Sequence, residues 1–148
     1  MRAADLRLVV LDSSVVIKWL RDGESLRAQA LALRASYLDG SLDIAVPDLL
    51  IYEVANVLRY KTDLTSTEVV AAVQSIFDMD VAIIPIGPEL AARAIALARQ
   101  HDVTVYDATF VACAEHLSAS LVTADAGLAG KATSPRPIIF LGDLHGPF

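Results

Sequence analysis

Arg7-Leu8-Val9-Val10-Leu11-Asp12-Ser13-Ser14-Val15-Val16-Ile17-Lys18-Trp19-Leu20 is the stretch that decides the fold. Its first part is a short apolar, β-branched run and reads as a buried strand, whereas Val15, Val16, Trp19 and Leu20 fall at helical spacing. The chain therefore passes from strand to helix through Asp12-Ser13-Ser14. The same alternation continues outward. Glu24 to Leu38 predicts a helix stopped at Asp39-Gly40, and Leu42 to Val46 a second strand. Pro47 is assigned to the first turn of the next helix, where a missing N–H costs little, and that helix runs to about Lys61. Thr65 and Glu68 have the spacing of a capping box, so Thr65 to Asp78 forms another helix. Val81 to Ile84 is the third strand, Pro88 to Gln100 an alanine-rich helix and Tyr106 to Leu117 a further helix. Ser120-Leu121-Val122 and Pro137-Ile138-Ile139-Phe140 supply the last two strands.

Short apolar strands separated by helices predict an α/β protein, a three-layer α/β/α sandwich around a central parallel sheet of about five strands. Ligands in such folds gather outside the carboxyl ends of the strands. The chain shows no repeat, linker or low-complexity tract, so residues 1–148 read as one domain. Composition agrees: 148 residues that are 55% apolar and 20% charged can bury a core unaided, and seven glycines with six prolines exclude a collagen-like or linker character. The one cysteine, Cys113, permits no internal disulfide, fits a reducing compartment and lies in an apolar stretch where packing is its expected role. Charges in Met1–Arg7 come too early for a secretory signal, and Leu8 to Leu11 is too short to span a bilayer; a cytoplasmic protein without membrane attachment is expected.

A formal net charge of −6 removes the usual electrostatic argument for a nucleic-acid partner. Carboxylates gathered at one cation-loaded site would reconcile an acidic chain with a polyanionic substrate. Asp12 ends the first strand and Asp125 follows the fourth by three residues, so both should emerge at the ligand edge, although each could equally cap the next helix. Glu53 falls within the stripe of Leu50, Val54 and Val57 and should face inward, where a carboxylate needs a partner; Asn56, one turn on, is a candidate. A salt bridge is the plainer explanation for such a Glu, but the strands offer no basic candidate. Asp107 shares a helical face with Phe110, Val111 and Ala114, with helix capping as its ordinary role. Together the four form a hard-oxygen donor set suited to Mg2+ or Mn2+. His101, His116 and His145 lack zinc-like spacing and read as surface or helix-end residues.

Val10-Leu11-Asp12-Ser13-Ser14-Val15-Val16, Pro47-Asp48-Leu49-Leu50-Ile51-Tyr52-Glu53-Val54-Ala55-Asn56-Val57-Leu58, Tyr106-Asp107-Ala108 and Leu121-Val122-Thr123-Ala124-Asp125 resemble, in order and separation, the motifs of PIN-domain proteins, in particular toxins of the VapC type. The resemblance implies an acidic quartet of Asp12, Glu53, Asp107 and Asp125, supported by Ser14, Asn56 and Thr123. It also implies a bound divalent cation (Mg2+, with Mn2+ as an alternative), endonucleolytic cleavage of RNA, a homodimer and a small VapB-like antitoxin partner. Lys18, Arg21, Arg59, Lys61 and Lys131 could rim the site but read individually as solvated surface. Trp19 reads as core or subunit packing. Two other classes fit part of the pattern: a phosphoacceptor receiver module, which would need no Glu53, and a catalytically silent PIN-like interaction protein. An aspartyl-nucleophile phosphatase fits less well, because Asp12-Ser13-Ser14 lacks a second Asp.

Overall fold

The computed structural model describes residues 7–146, so the reading of the extreme N-terminus as lacking a signal lies outside the described residues. The chain runs β1 (Leu8–Leu11), α1 (Ser13–Leu20), α2 (Arg27–Leu38), β2 (Asp43–Pro47), α3 (Leu49–Arg59), α4 (Ser66–Asp78), β3 (Ala82–Ile84), α5 (Pro88–His101), α6 (Val105–His116), β4 (Ser120–Thr123), α7 (Ala126–Lys131) and β5 (Ile138–Phe140). A short 3-10 turn, Leu141–Asp143, follows β5. All five strands are parallel, in the order β3-β2-β1-β4-β5.

That order sets the position of the site. From β1 the chain moves outward to β2 and β3, then returns past β1 to lay down β4 and β5 on its other side. With right-handed crossovers, the helices of the two excursions fall on opposite faces of the sheet. α1 packs on α2 and α3, and α3 on α4; α5 packs on α6, which crosses β1, β2 and β4. The direction of winding reverses between β1 and β4, and a crevice opens there beyond their carboxyl ends. Val9, Val10 and Leu11 of β1 and Leu121 and Val122 of β4 are fully buried, as expected for central strands covered on both faces.

Several boundaries differ from the sequence reading for physical reasons. Pro47 closes β2 instead of opening α3: pairing of β2 with β1 ends at Ala45, while Pro47 still faces Ile84 of β3. The next N–H, of Asp48, then donates to the Ile84 carbonyl at 2.9 Å. Proline is tolerated at this strand end because no ladder bond requires its missing donor. The second helix starts at Arg27, not Glu24, because Leu26 adopts a left-handed conformation (φ 59°) that helix propagation excludes. Glu24 pairs instead with Lys18 at 3.6 Å, and Asp22 with Arg27 at 3.2 Å. The helix that Asp125 could cap is the six-residue α7, to which the sequence reading gave no bounds because Gly127 and Gly130 dilute its helical pattern.

α6 is buried on more than one face: Ala108 through Ala114 are all buried, since the helix lies between α5 and the sheet. Cys113 belongs to this segment, and burial pushes its thiol up to about 12, which leaves it an inert packing group. Trp19 is core, its Nε1–H donating to the Ala30 carbonyl at 2.8 Å and joining α1 to α2. No helix among the described residues is long and apolar enough to cross a membrane.

The Thr65–Glu68 capping box forms as expected: the Glu68 N–H donates to Thr65 Oγ1 at 3.2 Å and the Thr65 N–H to Glu68 Oε2 at 2.6 Å. Thr65→Ala removes one acceptor from the start of α4 and should lower stability by about 1 kcal/mol. In a thermal melt this is a fall of roughly 2–4 °C for a chain of this size; an unchanged midpoint would show that water caps α4 equally well.

Candidate active site

Asp12 stands at the crevice between β1 and β4. Its backbone N–H donates to the Val122 carbonyl at 3.3 Å, extending the β1–β4 ladder by one bond, and its side chain is 5% exposed. Although Asp12 precedes α1, it makes no side-chain cap bond to that helix. Instead Ser14 Oγ donates to Oδ1 and Thr123 Oγ1 to Oδ2, each at 2.5 Å. The direction of these bonds is fixed from behind: Ser14 Oγ accepts from the Ala124 N–H at 2.9 Å, and Thr123 Oγ1 from the Asp125 N–H at 3.0 Å. A hydroxyl has one proton, and both hydroxyls have it aimed at Asp12. Burial nevertheless raises the Asp12 carboxyl to about 6, with the two hydroxyls opposing the rise and the charge of Asp107 adding to it.

Glu53 lies half-buried on α3, held by Ser13 Oγ, which donates to Oε1 at 3.0 Å. Contact between α1 and α3 makes this bond possible. The expected partner, Asn56, is exposed, so Ser13 takes the role assigned to it; a serine adjoining Asp12 was the available signal. Asp107 lies half-buried in the first turn of α6. Thr104 caps that helix, accepting from the Asp107 N–H at 3.0 Å. Asp125 is exposed and does cap a helix: its Oδ1 accepts from the Gly127 and Leu128 N–H groups at 2.8 and 3.2 Å.

Asp107 links the quartet electrostatically. Burial raises its carboxyl, and the charge of Asp125 raises it further against the hydrogen bond from Thr104. Its own charge in turn raises Asp12 and Glu53, for which burial is again the larger cause. None of the ion pairs among the described residues involves any of the four carboxylates. As the side chains stand, no three metal-ligating groups among the described residues close around one cation position. The donor set still fits a hard divalent cation: four carboxylates are brought to one edge, three of them raised in pKa and coupled by repulsion, with no ion pair to a Lys or Arg among the described residues.

The candidate basic rim is largely engaged elsewhere. Lys18 is buried with its Glu24 partner, Arg21 makes two 3.0 Å bonds to Asp63, and Lys131 bonds the Asp102 carbonyl at 3.0 Å. Arg59 lies over the Tyr60 ring at 3.9 Å. His145 is exposed, and His116 ends α6; His101, at the end of α5, is partly buried, with no partner for Nε2. Beside the carboxylates, Leu49, Tyr52, Glu53, Asn56 and Tyr106 line a cleft of about 580 Å³. A second cleft of about 510 Å³, between α5 and α6, contains none of the quartet.

Asp12 keeps its proton to about pH 6 when folded but loses it near 3.8 when unfolded. Folding is therefore favoured in full below about pH 3.8, and this contribution, on the order of 3 kcal/mol, is lost as pH rises through about 6. Metal-free Asp12→Asn turns an amide NH2 toward one of the donor hydroxyls of Ser14 and Thr123, so it should be less stable than the wild type in acid and gain several degrees relative to it on going to neutral pH. Thermal melts at both pH values check this; an equal offset at both would remove ionisation of Asp12 as the cause.

Comparison with known proteins agrees with this architecture. A PIN domain model matches residues 9–133. Among solved structures, the chain is similar to VapC20 of Mycobacterium tuberculosis, described as a toxin that cleaves the sarcin-ricin loop, at 18% identity and a TM-score of 0.68, covering 87% of this chain and 99% of that one. It is similar to FitAcB from Neisseria gonorrhoeae at 21% identity and a TM-score of 0.68, covering 92% and 99%. DNA-bound VapBC from Salmonella typhimurium aligns at 13% identity and a TM-score of 0.69, covering 92% and 98%. No curated protein matches the sequence. With a five-stranded parallel sheet in this order, an acidic edge at β1 and β4, and a family match over most of its length, the chain belongs to the PIN domain family.

Proposed function

We propose that this chain is a divalent-cation-dependent endoribonuclease and the toxin of a VapBC-type pair, acting in the cytoplasm as a homodimer with a small VapB-like antitoxin as its inhibitor. The observation that carries the reading is a buried Asp12 clamped between Ser14 and Thr123 while Asp107 couples it to Glu53 and Asp125 without a counter-cation. Structural outlay of this kind is hard to explain as packing, because the clamp holds a charge that burial disfavours. The toxin assignment draws on similarity to proteins described as VapC20, a toxin, and as VapBC and FitAB.

In this reading Asp12, Asp107 and Asp125 hold Mg2+ or Mn2+, with Glu53 reaching a second ion or a water molecule. A divalent cation held there supplies charge to offset the anionic phosphodiester transition state and lowers the pKa of water in the site. The protein's own groups do the rest. Ser14 and Thr123 keep both oxygens of Asp12 in a fixed plane, so its position is set before any ligand arrives. Ser13 occupies Glu53 Oε1, which leaves Oε2 as the oxygen able to accept a proton from the attacking water. The half-burial that raises Glu53 also makes it a better acceptor.

Purified protein should cut a total RNA pool at discrete positions in Mg2+ or Mn2+. Cutting should fall to background with chelator, and by two or more orders of magnitude in Asp12→Asn, given what removal of one catalytic electrostatic group costs. Cuts that persist in both controls would reject a metal nuclease at this site. Cation binding competes with the proton on Asp12, so apparent cation affinity, read by calorimetry, should weaken as pH falls below about 6. A pH-independent affinity would move the cation away from Asp12.

A further inference from the structure

We propose that Tyr52 and Tyr106 form the walls of a nucleobase-binding cleft beside the acidic site, taking an unpaired base of the substrate strand next to the bond that is cut. The inference rests on the nuclease reading for its choice of ligand. Tyr52 lies on α3 and Tyr106 on α6, and they are 74% and 62% exposed. Elements distant in sequence thus bring two solvated aromatic rings to one cleft of about 580 Å³, whose other walls are Leu49, Asn56 and Glu53. Tyr52 directly precedes Glu53, and Tyr106 directly precedes Asp107. Glu53 itself lines the cleft, so whatever fills the space between the two rings sits against one carboxylate of the quartet.

Charge argues for the occupant. The chain carries a net charge of −6, the site is a cluster of carboxylates, and Lys18, Arg21 and Lys131 are committed to Glu24, Asp63 and Asp102. With these three cations paired, phosphate contacts contribute less to the affinity of a strand held here. Stacking of bases on aromatic rings supplies affinity independent of charge, and it requires unpaired bases, because paired ones present no free face. The exposed Asn56 in the same cleft offers both a donor and an acceptor to a base edge. The ligand is thus a single-stranded segment or loop with a base turned out, and the cleft gives the site a preference for such segments over duplex.

The test uses the full chain and a short single-stranded RNA oligonucleotide carrying 2-aminopurine, with an oligonucleotide of equal length containing abasic positions as control. Binding is followed by anisotropy and by 2-aminopurine quenching in Ca2+, and cleavage of the same oligonucleotide in Mn2+. The wild type should quench the probe and bind the abasic strand about tenfold more weakly. Tyr52→Ala and Tyr106→Ala should each lose about tenfold for the intact strand and little more for the abasic one, while Tyr52→Phe and Tyr106→Phe retain wild-type binding. Cleavage should show the loss in KM more than in kcat.

Unchanged binding in both alanine variants, or equal losses for alanine and phenylalanine, would overturn the cleft. Cleavage that remains metal-dependent and Tyr-independent would do so while leaving the nuclease reading standing. Tyrosine-dependent quenching without any cleavage would uphold the cleft and count against the nuclease. If the alanine variants bind RNA normally but sediment as a smaller species than the wild type, the rings belong to a contact between copies of this chain and the proposal fails.

Discussion

A carboxylate shut away from water at the point where β1 and β4 part is the constraint on which the rest of this structure depends. Asp12 can occupy that place only because two hydroxyls from different segments give it their protons, and those hydroxyls can do so only because backbone N–H groups of Ala124 and Asp125 fill their acceptor positions. The clamp is therefore inseparable from the β1–β4 register, in which Val9, Val10 and Leu11 face Ser120, Leu121 and Val122. A slip of one residue would turn Thr123 to the other face of the sheet and leave a buried carboxylate oxygen without a donor. Strand pairing and site geometry are one arrangement seen at two scales.

The cost of this arrangement falls on stability. Burial raises Asp12, Glu53 and Asp107, and Asp107 couples to each of its acidic neighbours by repulsion. Such a cluster persists because the scaffold around it is over-determined. Central strands buried from Val9 to Leu11 and from Ser120 to Thr123, the buried middle of α6 from Ala108 to Ala114, and Trp19 joining α1 to α2 hold the edge in place by apolar packing that the carboxylates do not contribute to.

What the sequence disclosed and what it withheld divide along the range of the interactions. The strand-to-helix passage at Asp12, the Thr65 capping box and the stop at Asp39-Gly40 are encoded within a few residues, and they were legible as such. The left-handed Leu26 and the place of Pro47 at the end of β2 depend on partners elsewhere, the second on how far β1 reaches alongside it. At the site, periodicity turned Glu53 toward its neighbours but could not name them; its partner, Ser13, is 40 residues away and becomes adjacent only when α1 packs on α3. The same limit applies to Lys18: its place in the sequence suggested a rim, whereas folding buries it against Glu24.

That commitment of cations to internal pairs bears on how an acidic protein handles RNA. Each Lys or Arg that contacts a phosphate of a single strand adds about −0.7 to the slope of log affinity against log salt concentration. Of the five basic residues read as a possible rim of the site, three are tied to carboxylates and Arg59 lies on the Tyr60 ring, leaving Lys61 and a partly available Arg59. Two contacts correspond to a slope of roughly −1.4, far shallower than that of a protein reading its ligand through a basic groove. Titration of a single-stranded oligonucleotide across a salt series, with the divalent cation held constant, measures that slope directly. A value steeper than about −3 would require further phosphate contacts, from basic residues outside this set or from Lys18, Arg21 or Lys131 released from their ion pairs when RNA binds.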